Sequence, residues 1–265
     1  MSWFFEDFKD NLIIDRHNPI FWGPLFRGKE GGETKKMKDL RDNDSEDALT
    51  WNVFSTLKSL DPNFWVKALL KSAFGERGDL SKLNFDCAVV VFWHKVSPPR
   101  CRPVAEGPSE PDLEIVTRDL LIFIEAKYLA PVAPDTTHDP ERDQVIRLID
   151  VGSYKAKQDG LDFFFILLTP RKVISEGKEP ERLEKIEEYW GRFMEYRDHP
   201  DRIAKMLPYR SDDMDYSKMA QNIGWLHWED IAGFLASADR RQFSSLENFM
   251  IQQLLQYLKA KGLSL

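Results

Sequence analysis

Residues 111–127 read PDLEIVTRDLLIFIEAK, which is two short apolar runs interrupted at Arg118 and Asp119. Such a pattern is typical of a tight antiparallel hairpin, although Arg-Asp is not the Asn-Gly pair favoured in two-residue turns. If Arg118 and Asp119 form the loop, Asp112 lies directly opposite Glu125. Directly opposed residues share one face of the hairpin, about 5 Å apart at Cβ. The sequence therefore predicts two facing carboxylates at the open end of a hairpin.

The face shared by the two carboxylates includes a third polar group. Side chains alternate along a strand, so Lys127 joins this face and Ala126 does not. Mg²⁺ prefers oxygen ligands, typically one or two carboxylates with water and substrate phosphate. A metal there can polarise a phosphoryl oxygen and activate water, and a nearby lysine can stabilise developing charge. The alternative is a solvated edge strand with a Glu-Lys pair, which alternation makes common.

Length and composition indicate one sizeable domain with additions, or at most two small domains. The 265 residues include 42% hydrophobic and 12% aromatic residues, which is ample for a packed core. The net charge of −7 argues against a surface that is basic throughout, but it allows a local basic groove along contacted phosphates. Cys87 and Cys101 lack metal-ligand spacing and indicate a reducing, cytoplasmic setting. We expect no signal peptide and no membrane span.

The chain divides into three predicted parts. Residues 1–43 combine an aromatic segment, in which Phe5 and Phe8 have helical spacing, with a glycine-containing basic linker. The aromatic segment packs on the body of the domain or serves as a surface for a homodimer or protein partner. Residues 44–170 form the predicted core. Residues 171–265 read as a mostly helical C-terminal extension packed on this core, with one short extra strand.

The predicted core begins with a helix that has an acidic residue in its first turn. Ser45 is a suitable N-cap, and Glu46 follows it. Spacing alone favours an interaction of Glu46 with the helix dipole, and the alternative is a further metal ligand. Residues 87–93 follow as a strand rich in β-branched and aromatic residues.

A helix over residues 141–158 connects the hairpin to a continuous apolar run at 163–168. A run of this kind is typical of a strand buried on both faces, and the intervening helix indicates a parallel crossover connection. Gln144 and Arg147 fall on one side of the helix. They either form a polar helix face or reach towards the scissile phosphate and the carboxylates.

This order of elements resembles the PD-(D/E)xK nuclease superfamily. The matching pieces are Pro111-Asp112, Glu125-Ala126-Lys127 and Gln144-Val145-Ile146-Arg147, with Glu46 at the acidic position of the first core helix. The resemblance covers about residues 44–170, roughly half of the chain, and each motif alone is degenerate. Residue 148 is leucine, so the helix departs from the Gln-x-x-x-Tyr form of some exonuclease-like members.

The resemblance implies an α/β fold with a restriction-endonuclease-like αβββαβ core, in which helices flank a central mixed sheet of four to five strands. It also implies a Mg²⁺-dependent nuclease, with Mn²⁺ as an alternative ion, that acts on DNA rather than RNA. Lys127 would position or deprotonate the attacking water, and Gln144 and Arg147 would orient the substrate phosphate. The metal-binding residues that the resemblance implies are Glu46, Asp112, Glu125 and, through its carbonyl, Ala126.

Two other functions remain open from the sequence. The first is a catalytically silent nucleic-acid-binding or protein-assembly module on the same fold, which the acidic composition and the aromatic N-terminus favour. The second is hydrolysis of another phosphodiester, such as a nucleotide second messenger. The intact set of Asp112, Glu125 and Lys127 favours an enzyme, because a module without catalysis has no need of two facing carboxylates.

Overall fold

The computed structural model of the chain describes residues 11–13, 38–77, 79–103, 105–129, 142–171, 190–191 and 193–264. Five strands form one mixed sheet in the order β1-β2-β3-β4-β5. The first three strands are antiparallel, whereas β3, β4 and β5 run parallel to one another. The strands are β1 Val89–Phe92, β2 Leu113–Val116, β3 Leu120–Ala126, β4 Asp162–Thr169 and β5 Ile223–His227. The predicted α/β class with a mixed sheet is confirmed.

Helices flank the sheet, and several of them begin after a side-chain cap. Ser45 accepts a hydrogen bond from the backbone N–H of Ala48, and Ser244 and Glu247 form a capping box. The helix predicted from residue 141 begins three residues later, because the Asp143 side chain caps it. The helices are α1 Glu46–Lys58, α2 Pro62–Phe74, α3 Gln144–Asp159, α4 Pro200–Met206, α5 Tyr216–Gln221, α6 Trp228–Ser237 and α7 Ser245–Ala260.

Two hydrophobic clusters cover the two faces of the sheet. Alternation along β3 sends Ile122 and Ile124 into the cluster formed with α1, α2, α6 and α7, and it sends Leu121 and Phe123 into the cluster formed with α3. Residues 163–168 are buried throughout, as the continuous apolar run predicts. The polar side chains that follow the apolar residues on this face of β2 and β3 therefore lie next to α3.

The predicted register of the hairpin is confirmed. The Thr117 N–H donates to the Leu120 carbonyl at 2.9 Å, and Leu113 pairs with Ile124. Each successive pair is one residue earlier on β2 and one residue later on β3. The pair after Leu113 and Ile124 is therefore Asp112 and Glu125. The turn at residues 118–119 thus sets the geometry of the strand ends.

The predicted outer parts of the chain are described only in part. The aromatic helix and most of the basic linker in residues 1–43 lie outside the described residues. Residues 11–13 contact α1, where the Asn52 side chain accepts from the Ile13 N–H at 2.9 Å and donates to the Asn11 carbonyl at 2.9 Å. The C-terminal part supplies β5, which pairs with β4, so the sheet continues beyond residue 170. No helix of the described ranges is long and apolar enough to cross a membrane.

The close approach of α3 to the sheet predicts a strong effect of enlarging Gly152. A Cβ added there would overlap the Phe163 ring and lie 2.8 Å from Cδ2 of Phe123. We expect Gly152→Ala to lower the free energy of unfolding by about 1–3 kcal/mol through overpacking, although alanine favours helices by up to about 1 kcal/mol. Urea unfolding measures this difference. Gly191→Ala is the control, because no neighbouring atom of the described residues lies within 4 Å of its added Cβ. Equal midpoints for the two variants would contradict the close packing.

Candidate functional site

The polar groups of the hairpin meet at the carboxyl end of β3. Asp112 directly precedes β2, and its Oδ2 accepts a hydrogen bond from the Ala126 N–H at 2.9 Å. Glu125 is buried near the end of β3, and Lys127 follows the strand. One carboxylate therefore links the two strand ends, and the second carboxylate lies beside it.

The ammonium group of Lys127 joins two parts of the chain. Its Nζ lies 2.6 Å from Oε1 of Glu125 and 3.3 Å from Oε1 of Glu46. The other oxygen of Glu46 accepts from the Tyr128 N–H at 2.8 Å. The first residue of α1 is thus held against the end of β3. The structure brings Glu46 to the site, but both of its oxygens accept hydrogen bonds there, and its role as a metal ligand stays a prediction.

The two predicted residues of α3 have different positions. Gln144 begins the helix beside the end of β3, and its Nε2 donates to Oε1 of Glu125. The guanidinium of Arg147 instead donates to the backbone carbonyls of Gly107 at 3.3 Å and Pro108 at 3.0 Å. Its Nε lies 3.2 Å from Oε1 of the buried Glu106. The structure therefore brings Gln144 to the carboxylates and Arg147 to the preceding loop, and a phosphate-binding role for Arg147 stays a prediction.

The site brings together more acidic than basic side chains. Three carboxyl groups, those of Glu46, Asp112 and Glu125, lie around the one ammonium group of Lys127, so these four groups would have a formal charge of −2 if all were ionised. Burial raises the pKa of Glu125 to about 8, and the Asp112 carboxylate adds to this shift. Burial also raises the pKa of Glu46 to about 7, against the opposing effect of Lys127. Burial opposes the charge of Lys127, but the carboxylates outweigh it and raise the pKa of its ammonium group.

One oxygen of the site lacks a hydrogen-bond partner. Oε1 of Glu125 accepts from Lys127 and Gln144, whereas Oε2 is buried and has no partner among the described residues. A buried polar atom left unsatisfied costs about 1–3 kcal/mol, and more when it belongs to a charged group. A cation at this oxygen would remove that cost.

The donor set fits a hard divalent cation held by few protein ligands. Within the described ranges, no group of three or more His, Cys, Asp and Glu side chains is placed to hold a metal ion. The remaining set consists of the carboxylates of Asp112 and Glu125 with the carbonyl of Ala126. Mg²⁺ commonly keeps several waters and uses only one or two carboxylates. The residues present therefore suit Mg²⁺ or Mn²⁺ better than a metal that needs a full cage of side chains.

Sequence reasoning missed the groups that hold the backbone of the site. The indole Nε1 of Trp228, the first residue of α6, donates to the Lys127 carbonyl at 2.9 Å, and the Tyr128 N–H binds Glu46. Both contacts join residues about 80 to 100 positions apart, and no spacing rule connects them. Comparison of the chain with protein-family models, with curated proteins and with solved structures finds no match. Function must accordingly be inferred from the site itself.

The unpartnered oxygen and the charge of −2 predict stabilisation by divalent cations. We expect saturating Mg²⁺ or Mn²⁺ to raise the melting temperature of the wild type. At a metal concentration of a hundred times Kd, the free energy of unfolding should increase by about 2.7 kcal/mol. Asp112→Asn and Glu125→Gln should abolish the shift, because each removes one anionic ligand. Differential scanning fluorimetry in chelator and in metal measures it. The control Glu76→Gln changes an exposed carboxylate and should keep the full shift. An equal shift in all four proteins would place the metal elsewhere.

Proposed function

We propose that this protein is a metal-dependent nuclease that hydrolyses phosphodiester bonds of nucleic acid, DNA rather than RNA. The observation that carries the proposal is that half-buried Asp112 meets buried Glu125 and Lys127 at one strand end, with one oxygen of Glu125 left without a partner among the described residues. The order of helix, three antiparallel strands, helix and parallel strand supports a restriction-endonuclease-like core. These two features are independent, since one is chemical and the other topological.

Each side chain of the site has a role in this proposal. Asp112 and Glu125 would hold Mg²⁺ or Mn²⁺ between the ends of the two strands. When bound, the metal would polarise a phosphoryl oxygen and lower the pKa of a coordinated water. Lys127 pairs with two carboxylates, which favours its protonated form, so it would donate a hydrogen bond to the attacking water or to the charged phosphoryl oxygens. Gln144 holds Oε1 of Glu125 and thereby orients that carboxylate.

A non-cleaving module on the same fold is the second candidate. The ion pairs of Lys127 with Glu46 and Glu125 favour it, because they can serve as a purely structural link between α1 and β3. The carboxylate of Asp112 also has a structural contact, with the Ala126 N–H, but that contact does not require an ionisable group beside Glu125. Their mutual repulsion, together with the unsatisfied oxygen, is a cost that catalysis explains and a structural link does not.

Cleavage assays with site variants test the nuclease. The wild type should cut linear or circular duplex DNA, single-stranded DNA or RNA in Mg²⁺ or Mn²⁺, and nothing in chelator. Asp112→Asn and Lys127→Gln should each lower the rate by about 10²–10³-fold or more, because each removes charge stabilisation at the reacting phosphate. The control Asp86→Asn alters an exposed acid away from the site and should cut at the wild-type rate.

The choice of substrates separates the outcomes. Cutting of the circular duplex identifies an endonuclease, and cutting restricted to linear substrates identifies an exonuclease. A folded wild type that cuts none of the four substrates with either metal would contradict the nuclease and favour the binding module. Equal rates for wild type and Asp112→Asn would assign the activity to another part of the chain or to a contaminant.

A further inference from the structure

An open cleft with a volume of about 550 Å³ lies between the segment after β1 and the second half of α3. Its lining includes His94, Lys95 and Arg100 from the segment, and Tyr154 and Lys155 from the helix. None of the described residues that line the cleft is acidic. On a chain with a net charge of −7, this concentration of cations is a local exception that points to an anionic ligand.

A buried carboxylate beneath the cleft contacts two of the side chains that line it. Glu114 of β2 is 2% exposed, and its Oε2 lies 2.7 Å from Nδ1 of His94. Its Oε1 pairs with Nζ of Lys155. Because Glu114 takes Nδ1 of the imidazole, Nε2 is the ring nitrogen directed away from it. His94 and Lys155 are therefore held against a strand, whereas Lys95 and Arg100 are exposed.

The backbone next to the cleft adopts an uncommon conformation. Trp93 has a φ of 49°, which is rare for a bulky residue that is not glycine. Its N–H donates to the Asp112 carbonyl at 3.2 Å, and its ring stacks on Trp51 at 5.9 Å between centroids. Such conformations persist where the surroundings fix them, and they cluster at ligand sites. The bend turns the chain out of the sheet so that His94 and Lys95 line the cleft.

The cleft lies on the same face of the sheet as the candidate active site. Asp112 directly precedes β2 and Glu114 is its second residue. In extended chain, Cα atoms two residues apart are separated by about 7 Å. On α3, Gln144 contacts the candidate active site and Lys155 lines the cleft, and the eleven helical steps from one to the other span about 16 Å. A linear polyanion bound at the active site and running along α3 would therefore pass over the cleft.

We propose that this cleft binds a backbone phosphate of the nucleic-acid strand, near the phosphodiester bond that is cut. The proposal deepens the nuclease function and depends on it for the identity of the ligand. The formal charge of the cleft is +2 without counting His94. Three positive charges come from Lys95, Arg100 and Lys155, and one negative charge comes from Glu114. Lysine and arginine are the usual partners of phosphate oxygens. Contacts of this kind position a strand without reading its sequence.

The salt dependence of binding tests the cleft in the chain of residues 1–265. The probes are a short fluorescein-labelled DNA duplex, its single strand and the RNA of the same sequence, with Ca²⁺ in place of Mg²⁺ to limit cleavage. Lys95→Gln/Arg100→Gln removes two exposed cations from the cleft. Each lost phosphate contact should reduce the slope of log K against log salt by about 0.7–0.9 and weaken low-salt binding on the order of tenfold. Fluorescence anisotropy measures both quantities.

A matched variant removes the same charge elsewhere. Lys67→Gln/Lys82→Gln alters two exposed lysines, and α2, which contains Lys67, packs in the cluster on the opposite face of the sheet. Slope and affinity should stay at wild-type values in this control. If both double variants behave alike while the wild type binds and cuts DNA, the cleft proposal is overturned and the nuclease stands. Binding that depends on the cleft without any cleavage keeps the cleft and overturns the nuclease. A wild type that binds none of the probes overturns the cleft proposal.

Discussion

The arrangement of the site depends on the ion pairs that the buried ammonium group of Lys127 forms. It contacts Glu125 of β3 and Glu46 of α1, so one cation joins the sheet to the first core helix. Without it, the carboxylates would repel one another in a poorly solvated place. With it, they remain close but not neutralised, because one positive charge cannot offset three negative charges. A further cation at this place would offset the surplus of carboxyl groups, which is the basis of the proposed metal site.

Rigid elements set the positions of the reacting groups. Asp112 and Glu125 are placed by the register of a hairpin whose flanking residues are buried on both faces of the sheet. The Trp228 indole holds the carbonyl of Lys127 from α6. Strand ends supported in this way can hold carboxylates within a few tenths of an ångström, which positioning of a metal and a phosphate requires. The C-terminal part of the chain thus contributes to the site although it supplies none of the proposed reacting side chains.

The sequence predicted those parts of the fold that local rules govern. The turn at residues 118–119 and strict alternation were sufficient for the register that sets Asp112 opposite Glu125. The Ser45 cap and the apolar runs located α1, α3 and the strands β1 to β4. Arg147 shows where such rules end: helical spacing groups it with Gln144, but the loop beside it supplies the buried Glu106 and two carbonyls, which hold its guanidinium. Spacing along a helix does not specify which loop covers each turn.

The acidic site and the basic cleft solve one electrostatic problem together. In the proposed function, a nucleic acid would approach a chain of net charge −7 and a site with three carboxyl groups and one ammonium group, and negative charge at both would repel it. A divalent cation would remove the repulsion between the nucleic acid and the acidic site, but only at the point of reaction. The proposed cleft would place positive charge on the same face of the sheet, and Glu114 contacts His94 and Lys155 of its lining. Charge of this kind is screened over about 10 Å at moderate salt, so it acts on a strand only near the cleft, and Glu114 follows Asp112 by two residues in the chain.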